Sequence, residues 1–192
     1  AAGAKSLLLC NPHNPVGRIL TRKELETIAD TCLRNNLMIC SDEIHAEIIL
    51  DESKSHIPIA TLCPEVADNT ITLLSPSKAF NLPGIGGFAF AVIPNSELRE
   101  DFKAKIHGIA TEPGSLAYAA GLAAYRDCDG WLAQQLDYLR ENRDLLEAKV
   151  AATAGLSMTH VEATFLAWID VSELALESPF EHFLAHGLAL SD

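Results

Sequence analysis

Three short runs, Ser6–Cys10, Leu37–Cys40 and Thr70–Leu74, are apolar without polar alternation. A strand that alternates buries one face, whereas one that does not is covered on both. Covering both faces demands helices on each side, so the runs predict a parallel or mixed sheet inside an α/β layered fold. Gly86–Ile93 is apolar throughout and reads as a fourth strand. Between the first two runs, Thr21 and Glu24 form a capping box. Leu25, Ile28, Ala29, Cys32 and Leu33 follow at helical spacing, and Asn35-Asn36 closes the helix.

The second half reads as helical. Asn95 or Ser96 caps a helix with Leu98, Phe102 and Ile106 on one face, and Pro113-Gly114 opens another that is rich in small residues. Asp129 is the expected cap of a long helix that buries Leu132, Leu136, Leu139, Leu146 and Val150, with Gly155 ending it. Thr164–Val171 has the pattern of a strand opening a second domain, and Pro179–His186 that of a last helix.

The 192 residues are 48% hydrophobic, enough for a real core. A formal net charge of −12 argues against nucleic-acid or anionic-membrane partners. Five scattered cysteines, Cys10, Cys32, Cys40, Cys63 and Cys128, give neither a disulfide framework nor a zinc spacing. Reduced thiols in a cytoplasmic setting are expected. No run approaches the roughly 18–20 apolar residues of a membrane span, and no secretory signal is apparent. The missing initiator Met and the abrupt Leu188-Ala189-Leu190-Ser191-Asp192 suggest a fragment of a longer protein.

Each apolar run gives way abruptly to a polar turn. These are Asn11-Pro12-His13-Asn14-Pro15-Val16-Gly17, Ser41-Asp42-Glu43-Ile44-His45 and Ser75-Pro76-Ser77-Lys78. In such sheets ligands collect beyond the C-terminal strand ends, which is where Asn14, Asp42 and Lys78 fall. A lysine at the exit of a buried strand loses water, and desolvation favours its neutral, nucleophilic amine. Such an amine condenses with aldehydes, of which pyridoxal phosphate is the commonplace cofactor. Taken alone, the stretch fits a loop lysine reaching solvent better.

The three motifs together reverse that weighing. In order and spacing they resemble the fold-type I pyridoxal-phosphate enzymes of the class I/II aminotransferase superfamily, and among them the MalY/PatB-type cystathionine β-lyases. The resemblance runs from about Leu7 to Trp168. It implies a three-layer transferase-like large domain over 1–150, with a mixed, mainly parallel sheet. The start of a small α+β domain would occupy 151–192.

The resemblance also assigns roles. Lys78 would hold the cofactor through its amine and later act as the base at the substrate Cα. Asp42 would face the pyridine nitrogen. A carboxylate about 4 Å from a pyridinium is worth on the order of 4 kcal/mol at an effective dielectric of about 20. That is about three pKa units, enough to keep the ring protonated. Asn14 would donate to the phenolic oxygen, and Ser75 and Ser77 would bind the phosphate. His45 stands where aminotransferases of this fold mostly carry Tyr, and this points to the β-lyase type.

Without the motifs, Asp42 reads as a turn or cap residue, Asn14 as a turn asparagine and His45 as a structural histidine. Gly86 stands where many relatives carry a phosphate-binding Arg. Trp168 reads as core packing, and His107, His160, His182 and His186 have no metal spacing. Glu43 and Glu47 are expected on a solvated helix face.

The activity so implied is a carbon–sulfur β-lyase acting on amino acids such as cystathionine, with an aminotransferase as runner-up. A catalytically incompetent fragment or a non-catalytic binding module is the reading from a different class. The resemblance further implies a homodimer, with groups from the partner chain, the N-terminal segment and a C-terminal arginine completing the site. The 192 residues alone are therefore expected to bind the cofactor weakly and turn over poorly.

Overall fold

The computed structural model describes residues 3–85 and 88–191. Its centre is a four-stranded sheet in the order β1 (Ser6–Cys10), β2 (Met38–Asp42), β3 (Thr70–Leu74), β4 (Phe90–Val92). β1, β2 and β3 run parallel, with Cys10 opposite Asp42 and Asp42 opposite Leu73, while β4 is antiparallel to β3. The three apolar runs thus become neighbouring strands whose C-terminal ends lie side by side.

One face of the sheet is closed by local chemistry. α1 (Arg22–Arg34) starts at the capping box, where the Thr21 side chain accepts from the Glu24 N–H and Glu24 reaches back to Thr21. It lays Leu25, Ala29 and Cys32 against Leu9 and Ile39. α2 (Pro64–Asp68) and the single turn Ile59–Thr61 complete this layer through Val66 and Ile59. Burying a side chain of this size is worth roughly 1.5–3 kcal/mol.

The other face is covered only in part. α3 (Pro76–Ala79) leaves β3 at once, and α5 (Ser115–Asp127) and α6 (Asp129–Ala151) pack behind it. Ile48, Leu50, Ala79, Phe80, Ala124 and Val161 form the second cluster. The small residues of α5 have a packing reason, since a Cβ on Gly121 would lie 2.9 Å from the Phe88 ring. α4 (Ser96–Ile106) is capped by Asn95, whose side chain accepts from the Leu98 N–H. β5 (Ser157–Met158) pairs with β6 (Ile169–Asp170), and α7 (Pro179–Ala185) follows.

Several expectations change. Among the described residues only one face of the sheet is fully covered: Leu8 shares the other face with Cys10, Cys40 and Asp42 and is 79% exposed. The fourth strand shrinks to Phe90–Val92, because the Ser75 hydroxyl and Gly121 take up Phe88 before the ladder begins. Gly86 and Gly87 lie outside the described residues, and with them the Gly86 position. Thr164–Val171 is a strand only at Ile169–Asp170. Buried Thr164 has φ of +71° and turns the chain out of extended geometry. Cys128, not Asp129, occupies the α6 cap.

Candidate functional site

The strand ends are tied to one another by backbone bonds. Asn11 N–H donates to the Asp42 carbonyl (3.1 Å), and Glu43 N–H donates to the Leu73 carbonyl (3.0 Å). Asp42 is the last residue of β2, and Ile44 N–H donates to its Oδ1 (3.2 Å). Side chains alternate along a strand. Asp42 therefore points to the open face while Ser41 and Glu43 point to the closed one.

His45 follows on a turn and is 2% exposed. The Phe165 ring meets it edge-on, with centroids 5.4 Å apart. Its Nδ1 is buried and has no partner among the described residues. Burial holds the imidazole below its ordinary pKa, the Lys78 ammonium lowers it further, and the Asp42 carboxylate opposes both. Among the described residues no ion pair joins Asp42 to Lys78.

Lys78 sits half-buried on α3, the one turn of helix that begins where β3 stops. Ser75 caps that turn by accepting from Ser77 N–H (3.1 Å). The Ser75 hydroxyl lies 2.8 Å from that of Ser77 and 2.6 Å from the Phe88 carbonyl, to which it donates. Ser75 is buried and Ser77 half-buried.

Asn14 lies on the loop that leaves β1, beyond Cys10, the residue opposite Asp42 in the ladder, and it is exposed. The loop itself is well defined. Asn14 N–H donates to Cys10 Sγ (3.5 Å), the Cys10 thiol donates to the Pro12 carbonyl (3.5 Å), and Gly17 N–H donates to the His13 carbonyl (2.7 Å). Cys10 and Cys40 are only partly buried, unlike Cys32.

Glu43 departs most from expectation. It lies on no solvated helix: residues 44–47 form a turn, and Glu43 is 1% exposed. Its Oε1 accepts from the Ser41 hydroxyl (2.8 Å) and from Ile59 N–H (3.4 Å), and its Oε2 meets His56 Nε2 at 2.7 Å. A buried carboxylate persists only when paired and hydrogen-bonded in this way. The sequence carried one signal, acidic residues on successive, oppositely facing positions at a strand end.

Glu47 is likewise largely buried, and one of its carboxylate oxygens has no partner among the described residues. Burial raises its pKa, and burial together with the neighbouring Glu47 pushes the Tyr125 phenol well above the usual range. Trp168 is 51% exposed and is not core. His160 contacts Glu147 and Asp51. Among the described residues no group of His, Cys, Asp and Glu is arranged to hold a metal ion, and no helix is long and apolar enough to cross a membrane.

Comparison with known proteins places this geometry. The family described as Aminotransferase class I and II matches residues 1–189. Cystathionine beta-lyase PatB of Bacillus subtilis (strain 168) is 34% identical over 172 residues, covering 88% of this chain and 44% of that protein. The crystal structure of OvoB covers 100% of this chain and 50% of that one, with 47% identity and a TM-score of 0.97. The PLP-bound C-S lyase from Staphylococcus hominis covers 94% and 46%, with 34% identity and a TM-score of 0.84. The chain spans about half the length of the curated relatives it matches.

Proposed function

The chain belongs to the aminotransferase class I and II family, and from that premise we propose that it is part of a pyridoxal-phosphate-dependent carbon–sulfur β-lyase. Its substrates are S-substituted cysteines such as cystathionine. With water consumed, the products are a thiol, pyruvate and ammonia. The observation that carries the proposal is that Asp42 ends β2 and Lys78 leaves the neighbouring strand β3 on its first turn, with His45 buried three residues after Asp42 and no ion pair joining acid to amine among the described residues.

The residues present fit the cofactor. A half-buried amine and an opposing carboxylate that do not neutralise each other leave room for a group that takes both. Lys78 would hold it, Asp42 would pair with its ring nitrogen, Asn14 would donate to its phenolic oxygen, and Ser75 and Ser77 would serve its phosphate. When bound, pyridoxal phosphate supplies an electron sink for the substrate Cα.

The protein's own residues do the rest. Lys78 removes the Cα proton as a positioned base. His45, kept below its ordinary pKa by burial and by Lys78, presents a neutral imidazole at neutral pH and adds no positive charge beside the amine. The closed face behind Asp42 excludes water from the acid's supporting groups.

The lyase reading, rather than transamination, rests on His45 after Asp42 and on the names of PatB and the Staphylococcus hominis enzyme. The proposal includes a homodimer, a cytoplasmic setting, a large domain over 1–150 and the start of a small one over 151–192. The isolated 192 residues then bind the cofactor weakly.

Full-length protein supplied with L-cystathionine and no keto acid is expected to release pyruvate, and Lys78→Ala to abolish both pyruvate and the visible absorbance of bound cofactor. Amino transfer to an added keto acid without pyruvate release would replace the lyase by an aminotransferase.

A further inference from the structure

Thr164 is fully buried, β-branched and left-handed, a costly combination. Its surroundings over-determine it. Its N–H donates to the Ile48 carbonyl (2.9 Å), its hydroxyl accepts from Leu166 N–H (3.1 Å), and Ala163 bridges Ile49. The consequence is the exit of the next residue. Phe165 leaves the core 45% exposed, with its ring edge-on to His45.

Phe165 also borders a groove of about 150 Å³ whose walls include Leu50, Leu139, Leu146 and Val161. Arg143 in that wall is already engaged by Asp144 and the Val161 carbonyl. An aromatic ring held at the rim, edge-on to the histidine that follows Asp42 where β2 ends beside the β3 exit carrying Lys78, has the placement of a recognition surface.

We infer that Phe165 is the surface against which the substrate's S-substituent packs, and that it selects cysteines carrying an apolar group on sulfur. The inference rests on the lyase reading for its substrate. Its test is binding, which is independent of turnover.

The measurement is calorimetric binding to the full-length, cofactor-loaded protein of 2-amino-5-phenylpentanoic acid and norvaline, the carbon analogues of S-benzyl- and S-methyl-L-cysteine that have no thiol to lose. Phe165→Ala is expected to reduce the benzyl-over-methyl preference about tenfold, the scale of losing one apolar wall. Phe165→Tyr is expected to keep most of that preference. Equal weakening of both ligands by Phe165→Ala would make the ring a mere support for His45 and overturn the inference. So would an unchanged preference, which means another segment covers the ring, and so would binding of neither ligand. Pyruvate release by the wild-type protein tests the lyase reading separately.

Discussion

His56 Nε2 lies 2.7 Å from Glu43 Oε2, and both side chains are shut away from water. The pair sits directly behind Asp42, on the other side of β2. Glu43 also takes the Ser41 hydroxyl, so the residues flanking Asp42 are locked to each other and to the 56–59 segment. The acid on the open face is thereby aimed from the closed one.

Removing one partner strands the other in the core. His56→Ala is expected to cost about 3 kcal/mol in urea unfolding of the full-length protein. A cycle with Glu43→Gln should show coupling above about 1 kcal/mol. Additive effects would mean that the two groups act independently.

Glu47 should respond to pH in a definite direction. Burial raises its folded pKa above the ordinary 4.5. The folded protein therefore holds this proton where the unfolded chain has released it. Stability is fully present below 4.5 and is lost as pH rises through the raised value. Glu47→Gln removes that loss while keeping the side chain's size. Thermal melts are expected to coincide at low pH and to favour the variant increasingly as pH rises to about 8. A constant gap at all pH values would dissociate the effect from this carboxyl.

Gly17 joins the first turn to the 161–164 segment. It has φ of +74°, and its carbonyl accepts from Glu162 N–H (2.9 Å) and Ala163 N–H (2.8 Å). A Cβ there would lie 2.7 Å from Val161 Cγ1 and 2.8 Å from the Ala163 carbonyl. Gly17→Ala is expected to cost about 2–4 kcal/mol, backbone strain and crowding together. Gly108→Ala, with similar φ of +76° and nothing within 4 Å, should cost only about 1–2 kcal/mol. Comparable losses for both would remove the crowding component.

The α1 capping box gives a simpler test. Thr21→Ala is expected to cost about 1 kcal/mol by thermal melting. Glu24 is held at a pKa of about 2, first by the Thr21 backbone N–H, then by Arg18 and the Thr21 hydroxyl. Its contribution is present above 4.5 and lost as pH falls towards 2. Glu24→Gln should flatten that acid limb, and an unaltered limb would assign it to other carboxyls.

What was written locally could be read locally. The strands Ser6–Cys10 and Thr70–Leu74, the Thr21–Glu24 box and the order of the three strand-end motifs depend on neighbours in the chain. Caps and unbroken apolar runs act over a few residues, so composition and spacing reveal them. The family resemblance rests on the same local motifs, which is why it too was legible.

The sequence by itself determined that an α/β sheet would end in an asparagine, an acid and a lysine. Only the tertiary structure decided that Asp42 and Lys78 leave neighbouring strands at the same end of the sheet, with His45 buried just beyond the acid. It alone buried Glu43 against His56 and exposed Leu8 and Phe165. The physical reason is that a polar residue's burial is set by the partner it finds, and here the partners come from distant loops. An apolar residue's exposure is set by whether any element covers it, which no local spacing encodes.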